Sequence, residues 1–430
     1  MNTKNEIFQW VDVSALRIGL FVSLDLGWLA HPFPTSSFKI TTAKQIEVIR
    51  SLGVDRVRVD PSRSDPVVHT DVAPEPKVAS ANQAAQELAR AQAQARRERA
   101  EQLAAQQRAL LVCERRFGEA LRQYRRTIEL SSTQPKEAAQ QCQAMVKGVV
   151  GEMMCEGESA IRLLSESAGD KSAMHPVNVT IVSLLLGKAM GLSVQELEDL
   201  GTAAFLHDIG KIMLPDRVRW YEDNFSSAEY KLYQDHVSHS LKLAKAMELS
   251  APVLLAIAQH HEMADGSGFP LKIRAEAQSP IARILALVNR YDNLCNPSRP
   301  AAALTPHESL SLIFAQLKAR FDSTALSAFI RMMGVYPPGS VVQLVDDRYA
   351  MVVSVNSSRP LKPRVIVHEP GISRHDALIL DLEHAPSLGI RRSLKPAALP
   401  SAAADFLAPR QRVCYFFEGV EEPALAGASA

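Results

Sequence analysis

The sequence lacks a long hydrophobic run, an excess of charge of either sign and a signal peptide. No stretch supplies the roughly 18 uninterrupted apolar residues that a membrane span needs, and the N-terminus, MNTKNEIFQWVDV, has no apolar core of the kind that directs secretion. With 48 Lys+Arg against 47 Asp+Glu, the formal net charge is +1. No overall field therefore favours a nucleic acid polymer or an anionic membrane surface. We expect a cytoplasmic protein that neither inserts into membranes nor binds a nucleic acid polymer.

Cysteine is also sparse, and its pattern excludes two kinds of small cysteine-rich domain. The five cysteines are widely spaced, odd in number and free of CxxC pairs. This pattern argues against a disulfide framework and against a thiolate zinc site, so we expect reduced thiols. The remaining composition, 47% hydrophobic and 22% charged over 430 residues, is that of a globular protein. A chain of this length accommodates roughly two to four domains.

The N-terminal part of the sequence predicts a small α+β module over residues 1–62. A helix is expected over 42–52, where Ile46 and Ile49 share one face. The apolar runs that read as short strands are 18–22, 38–40 and 57–59. Residues 63–82 are rich in Pro, Ser, Asp and Ala without periodicity, which is typical of a linker.

A long helix is predicted over 83–132, where Ala, Gln, Arg and Glu predominate. Leu103, Leu110, Phe117 and Tyr124 recur every seven residues along it. Two interpretations remain open: the stripe forms a dimeric coiled coil, or it docks on its own chain. The first would give a homodimer through the long helix, and the terminal modules would allow signalling proteins as partners.

The sequence predicts an all-α bundle over 135–332. The expected helices are 136–166, 175–191, 194–208, 227–247, 251–262, 279–295 and 306–331. After Pro337-Pro338-Gly339 the period changes to that of strands, expected at 341–344, 349–355, 364–367 and 377–382. The predicted fold is therefore multidomain: a helical bundle core, a small α+β N-terminal module, a long linking helix and a β-rich C-terminal module over 336–420.

Histidines concentrate in this predicted bundle, six of the twelve lying between residues 175 and 261. One of them is followed by an aspartate, His207-Asp208, at the end of an apolar helix. Imidazole and carboxylate suit first-row metals, and a carboxylate can bridge two of them. A single histidine on an apolar helix is more often a core residue, but five on consecutive helices beside an aspartate favour a metal-dependent hydrolytic centre. The candidate ligands are His175, His207, Asp208, His236, His260 and His261.

Four neighbouring features accompany these candidates. Lys211 lies one turn beyond His207 and can meet a substrate phosphate as a point charge. His239 is expected on the surface or behind the ligands. Glu262 is open to two interpretations, an orienting hydrogen bond to a ligand imidazole or a solvated helix end. Residues 265–270, DGSGFP, predict a tight turn because they contain two glycines and a proline.

Three segments together resemble one known family. HDIGK at 207–211, HHEMADGSGFP at 260–270 and SPIARILALVNRYDNL at 279–294 resemble the HD-GYP domain, a branch of the HD phosphohydrolase superfamily that hydrolyses the bacterial second messenger cyclic di-GMP. The resemblance covers about residues 140–330. The N-terminal module is similar to a small domain of unknown function often found ahead of HD-GYP domains.

The resemblance implies a site with two divalent metal ions. It makes the six candidates metal ligands, with Asp208 bridging, and places Asn289 where the family closes its metal set with an aspartate. Iron or manganese suits histidine and carboxylate ligands better than magnesium does. The substrate-binding residues that we expect are Lys211, Arg299, Gly266 and Gly268.

Several positions depart from the family pattern. Asn289 brings no charge to a metal, and Asp292, which faces nearly the same side, offers a substitute. Lys171 stands where some members carry a glutamate for a third metal, so at most two metals are expected. Phe269 replaces the tyrosine of the GYP signature, and the basic residue expected after Arg299 is replaced within the run Pro300-Ala301-Ala302-Ala303.

The leading expectation is therefore a metal-dependent phosphodiesterase that converts cyclic di-GMP to pGpG and onward to GMP. The departures motivate an alternative, a catalytically impaired HD-GYP-like sensor or interaction protein in cyclic di-GMP signalling. An HD hydrolase that acts on ordinary nucleotides is a third interpretation, which the HHExxDGxGFP loop disfavours.

Overall fold

The structure is a computed structural model, and it describes residues 8–26, 31–33, 35–66, 78–155, 159–164, 171–222, 224–356, 359–385, 387–409 and 412–419. The chain divides into two compact units. The first contains Met1–Gln106 and His368–Leu378, and the second contains Gln107–Val367 and Ile379–Ala430. None of the described helices combines the length and apolar content that crossing a bilayer requires.

The first unit contains a four-stranded antiparallel sheet in the order β1-β4-β2-β3. Its elements are β1 (Gln9–Asp12), β2 (Phe21–Ser23), β3 (Ser37–Lys39), α1 (Ala43–Ser51) and β4 (Arg56–Asp60). A capping box of Thr42 and Gln45 begins α1, which buries Ile46 and Ile49 in the core of the unit. The strand-containing N-terminal region expected from the sequence is confirmed.

Helix α2 (Val78–Ser131) is 54 residues long, and its C-terminal part belongs to the second unit. There Phe117, Leu121 and Tyr124 are buried, and the Tyr124 ring meets the Phe205 ring edge-on with centroids 5.1 Å apart. Over these residues the apolar stripe docks on its own chain, as one of the two interpretations expects. Dimerisation through the helix stays a prediction.

The second unit is built around helix α5, which packs against α3, α4, α8 and α9. Its helices are α3 (Pro135–Cys155), α4 (Lys171–Ala189), α5 (Val194–Leu206), α6 (Asp216–Arg219), α7 (Ser227–Ala246), α8 (Ala251–Gln259), α9 (Pro280–Cys295), α10 (Pro306–Gln316), α11 (Ser323–Met333) and α12 (Ser401–Leu407). A capping box of Ser193 and Glu196 begins α5. Every residue from Leu200 to Leu206 is buried, so α5 carries the chain into the middle of the bundle.

Two of the predicted helices are wrong in their extent. The helix expected over 136–166 ends at Cys155, and Ser159–Leu163 forms strand β5 instead. The periodicity of a short apolar run fits a buried helix or a buried strand equally well. Here the segment is a strand because neighbouring strands pair with it. The helix expected over 306–331 is two helices, because Asp322 accepts a hydrogen bond from the Ala325 amide at 2.9 Å and begins α11 anew.

Strand β5 joins the C-terminal strands in one seven-stranded sheet, whose main order is β10-β6-β7-β5-β11. The other strands are β6 (Val341–Leu344), β7 (Tyr349–Asn356), β8 (Arg364–Val367), β9 (Ile379–Asp381), β10 (Ile390–Leu394) and β11 (Tyr415–Gly419). β5 pairs antiparallel with both β7 and β11. The sheet expected to form a module of its own over 336–420 thus contains a strand from the helical region, and a buried ion pair between Arg162 of β5 and Glu418 of β11 crosses the pairing at 3.1 Å.

Candidate metal centre

Asp208 lies directly after α5, in a 3-10 turn that is fixed tightly against α7. The Gly210 amide donates to Ser240 Oγ at 2.8 Å, and a β-carbon on Gly210 would lie 2.2 Å from the Ser240 amide nitrogen. Only glycine permits this approach, which explains the glycine of HDIGK. The turn holds Asp208 in the interior, where its side chain is 4% exposed.

The histidine side chains converge on this one carboxylate. His175 Nε2 and His207 Nε2 each lie 3.4 Å from Asp208 Oδ2. His236 Nε2 lies 3.4 Å and His260 Nε2 3.8 Å from Asp208 Oδ1. Two groups of potential ligands therefore share Asp208. One consists of His175 and His207, and the other of His236, His260 and His261.

Hydrogen bonds fix the tautomers of these histidines. His207 and His260 each donate Nδ1–H to the backbone carbonyl three residues earlier at 2.7 Å, and His236 does the same to Tyr233. His175 donates Nδ1–H to Asp292 Oδ2 at 2.6 Å. A neutral imidazole carries one N–H, so the Nε2 lone pairs face inward. The outer hydrogen bonds leave the inner nitrogens able to bind metal.

An unsatisfied oxygen shows that the cluster fits a metal ion. Asp208 Oδ1 is buried and has no hydrogen-bond partner among the described residues. A buried acceptor without a partner costs free energy. In addition, the Nε2 atoms of His236 and His261 lie only 3.1 Å apart, so both can approach a single cation. The His/Asp cluster can therefore hold metal.

The protonation states also suit metal binding. Burial lowers the pKa of His236 to about 4 and lowers the pKa of His260 and of His261 well below the ordinary value. Burial alone would raise the pKa of Asp208, but the nearby charge of Lys211 holds it well below its usual range. Neutral imidazoles and an ionised carboxylate are the ligating forms of these side chains.

Asp292 orients a ligand and does not replace Asn289 as one, contrary to the sequence-based expectation. Its Oδ2 accepts from His175, and its Oδ1 accepts from Asn178 Nδ2 and, at 2.8 Å, from Asn296 Nδ2. Burial lowers the pKa of His175, but its hydrogen bonds to Asp208 and Asp292 outweigh burial and raise the pKa to about 9, so a metal ion that binds Nε2 of His175 must displace a proton from it. Both oxygens of Asp292 are thus occupied in fixing the ring of His175 and its own position.

Asn289 is buried on α9 and lines the same cavity as His175, His260 and His261. Its Oδ1 accepts a hydrogen bond from Asn293 Nδ2 at 2.7 Å. The amide is therefore held in one orientation at the wall of the site. The side chain of Lys171 lies outside the described side chains.

Glu262 has neither of the roles considered for it from the sequence. It is 1% exposed, and its carboxylate accepts three backbone amides, from Leu271 at 2.6 Å, Lys272 at 3.2 Å and Ile273 at 3.0 Å. Backbone amides leave no side-chain signal in a sequence, which is why this partner set was missed. The glutamate of HHE anchors the loop that follows DGSGFP.

The two glycines of that loop permit backbone conformations or contacts that a side chain would prevent. Gly266 has a φ of 79°, and a β-carbon on Gly268 would lie 2.4 Å from the Met263 amide nitrogen. Of these two, Gly268 lines the cavity. Phe269 stacks on the His261 ring with centroids 4.4 Å apart. His239 is partly exposed, and its backbone lies next to Gly210.

A cavity of about 800 Å³ opens beside the cluster and brings together residues from distant parts of the second unit. Lys211 and Arg299, both expected from the sequence, lie on its wall, and Lys211 Nζ contacts Asp208 Oδ2 at 2.5 Å. The cavity has further cationic and aromatic side chains that were not predicted from the sequence. These are Arg290, Arg320, Arg412, Trp220, Tyr221, Tyr230, Tyr233 and Phe321.

Fold and site together define a helical metalloprotein in which one aspartate is shared by histidines from several helices. Two family models match parts of the chain. Residues 155–325 match the HD domain, and residues 9–142 match the domain of unknown function DUF3391. The chain thus contains a segment that matches the HD domain, preceded by a segment that matches DUF3391. The resemblance inferred from the sequence is confirmed.

Several characterised proteins are similar to this chain. Cyclic di-GMP phosphodiesterase PA4108 of Pseudomonas aeruginosa is 25% identical over 361 residues, which cover 83% of this chain and 84% of the relative. The cyclic di-GMP phosphodiesterase response regulator RpfG of Xanthomonas campestris pv. campestris is 31% identical over 35% of this chain and 40% of the relative. Among solved structures, Bd1817, an HDG"Y"P protein from Bdellovibrio bacteriovorus, aligns with a TM-score of 0.42 and 15% identity, covering 75% of this chain and 98% of that chain.

Replacing the shared carboxylate should remove bound metal. We expect Asp208→Ala to lose most of the metal that the wild-type protein retains through purification, measured by inductively coupled plasma mass spectrometry. Asp199→Ala is the matched control, because Asp199 lies in the N-terminal half of α5, where it accepts a hydrogen bond from Ser250 Oγ at 2.8 Å. Equal metal content in Asp208→Ala and the control, with both variants folded by circular dichroism, would contradict the assignment.

Neutralising Glu262 should loosen the loop. In Glu262→Gln the amide group replaces one accepting oxygen with a donor that faces a backbone N–H, and an unmatched buried group costs about 1–3 kcal/mol. We expect a loss of that size in the free energy of unfolding in urea. Glu276→Gln, on the exposed turn that follows the loop, should leave stability nearly unchanged. Indistinguishable unfolding curves for the two variants would refute the anchoring role.

Proposed function

We propose that this protein is a metal-dependent phosphodiesterase that hydrolyses cyclic di-GMP. The observation that carries the proposal is the shared Asp208 among five histidines, beside a cavity lined by Lys211 and several arginines. The names of the relatives, cyclic di-GMP phosphodiesterases, support the same substrate.

The shape and chemistry of the cavity support a nucleotide substrate. Its volume of about 800 Å³ lies within the roughly 300–1,000 Å³ typical of small-molecule sites. The cations suit phosphate oxygens. Trp220 and Tyr221, which are 39% and 43% exposed, offer aromatic surface on which bases can stack. A cyclic dinucleotide presents both kinds of group, phosphodiesters and purine faces.

The ligand groups divide naturally between two metal ions. His175 and His207 would hold one ion, while His236, His260 and His261 would hold the other, and Asp208 would be common to both. When bound, such ions polarise a phosphate oxygen and lower the pKa of water. Iron or manganese suits this set of nitrogen and carboxylate ligands.

The protein's own side chains would prepare this site for the substrate. Asp208 stays ionised, and Asp292 fixes the His175 ring. Lys211 lies at the boundary between the cluster and the cavity, where its ammonium would offset negative charge that develops on the phosphoryl oxygens. We infer pGpG as the first product, with GMP as the product of a second hydrolysis.

Asn289 favours a second candidate function, an impaired sensor or interaction protein in cyclic di-GMP signalling. An amide brings no negative charge to a metal, and the Asn289 oxygen already accepts a hydrogen bond from Asn293. A weakly held metal would leave a cavity that binds the nucleotide without hydrolysing it.

Product analysis separates the two functions. We expect the purified chain, loaded with Mn²⁺ or with Fe²⁺ under reducing conditions, to release pGpG from cyclic di-GMP, as followed by liquid chromatography. The matched control is Asp208→Ala under identical loading. If the wild-type protein binds cyclic di-GMP without releasing pGpG under either condition, the sensor function replaces the enzymatic one.

Restoring a carboxylate at position 289 should strengthen the site. A charged ligand in place of an amide should raise metal affinity by about ten-fold, the lower end of the effects seen when groups that support a metal are changed. We expect Asn289→Asp to raise metal affinity, measured by chelator competition, and to raise turnover with it. Asn224→Asp adds the same charge at an exposed position and is the control. Unchanged metal affinity would place Asn289 outside the metal centre.

A further inference from the structure

We propose that Arg412 is a phosphate-binding residue of the substrate site, so that the segment ahead of β11 forms part of that site. The inference rests on the proposed function and extends it to the C-terminal region. It assigns Arg412 to the phosphodiester that is not being hydrolysed. Four observations support it: the position of Arg412, its lack of a carboxylate partner, the clamp on the next residue, and the connection of that clamp to His175.

Arg412 lies on the wall of the same cavity as Lys211 and Arg299. Lys211 is already paired with Asp208. Arg320 lies near Asp265, whose pKa is lowered against the effect of burial, first by hydrogen bonds from Ser267 and then by the Arg320 charge. Within the part of the chain that the structure describes, Arg412 forms no ion pair with a carboxylate. Its guanidinium is therefore available to an anionic ligand in the cavity, and its planar fork suits phosphate oxygens.

The backbone immediately after Arg412 is held by a side-chain clamp. Asn296 Oδ1 accepts the Val413 N–H at 2.8 Å, and Asn296 Nδ2 donates to the Val413 carbonyl at 2.8 Å. Ladder pairing between β5 and β11 begins only at Tyr415, so Val413 lies beyond the strand. Its backbone is held by the Asn296 clamp and by Asn178 Nδ2, which donates to the Val413 carbonyl at 3.4 Å. The clamp fixes the position from which the Arg412 side chain extends, which reduces the ordering cost of binding.

A second asparagine connects this segment to the metal centre. Asn178, which is 1% exposed, accepts the Tyr415 N–H at 2.8 Å through its oxygen and donates to Asp292 through its nitrogen. Asn296 also donates to Asp292, which in turn holds His175. Arg412 is thus carried by a segment whose position relative to the candidate ligand His175 is set by hydrogen bonds.

The substrate chemistry requires a cation in such a place. A cyclic dinucleotide has two phosphodiesters, each with one negative charge, and only one of them can lie at the metal centre at a time. The residues after Arg299, Pro300-Ala301-Ala302-Ala303, add no cation. An arginine that binds the non-reacting phosphodiester interacts equally with the ground state and the transition state. It should therefore lower KM and leave kcat unchanged.

The test compares three full-length variants: Arg412→Ala, Arg412→Lys and Arg391→Ala. Arg391 is an exposed arginine of β10 that pairs with Asp347 and does not line the cavity, so its replacement removes the same charge away from the site. Two quantities are measured for each. One is the equilibrium Kd for cyclic di-GMP on chelator-treated protein, and the other is kcat and KM on protein loaded with Mn²⁺. Metal content and melting temperature are recorded alongside.

For Arg412→Ala we expect Kd and KM to rise by about ten-fold or more, the scale of a lost hydrogen bond to a charged group. Its kcat should change by less than about two-fold. Arg412→Lys should recover part of the loss, and Arg391→Ala should match the wild-type protein. Metal content and melting temperature should not change in any variant.

The proposal is overturned if Arg412→Ala binds and turns over cyclic di-GMP like Arg391→Ala, or if its defect is a loss of metal or of kcat alone. A wild-type chain that never releases pGpG but binds cyclic di-GMP with an Arg412-dependent Kd refutes the proposed function and supports the phosphate site. A wild-type chain that neither binds nor hydrolyses cyclic di-GMP overturns both.

Discussion

The burial of one carboxylate governs the organisation of the second unit. An ionised group in a protein interior is costly unless opposite charge and hydrogen bonds surround it. Lys211 meets this requirement at Oδ2 of Asp208, whereas Oδ1 has no hydrogen-bond partner among the described residues. The apolar helix α5 brings it inside, and the approach of Gly210 to α7 keeps it there. The bundle thus creates a deep negative charge that a divalent cation complements.

Local motifs allowed the centre of this site to be predicted, while its surroundings depend on contacts between distant segments. His207, Asp208 and Lys211 lie within five residues, so their common position follows from one turn. Asp292 was misassigned because its partners, His175 and Asn178, belong to another helix. The role of Glu262 depends on backbone amides, which carry no signal in a sequence because nearly every residue has one.

The fold shows the same division. Helices with capping boxes, such as α5 and α7, begin where their Ser and Glu signals place them. Strand β5 was predicted as helix because nothing within Ser159–Leu163 reveals that its partners are β7 and β11, about 200 residues away or more. Arg412 was not predicted as a cavity residue for a similar reason. Only the pairing of β11 with β5 brings it beside motifs that lie far earlier in the chain.

Because β5 lies between two later strands in the sheet, it cannot pair with them until late in synthesis. Synthesis proceeds from the N-terminus, so β5 emerges long before β7 and β11, and both of its edges wait for partners. The segment from Arg412 to Tyr415 is made later than all the helices of the bundle. A nascent chain can therefore assemble its cluster of histidines while Asn178 and Asn296 still lack the backbone groups that they bind in the finished protein. Arg412 and Val413, which belong to the wall of the cavity, are translated just before the last strand of the described chain.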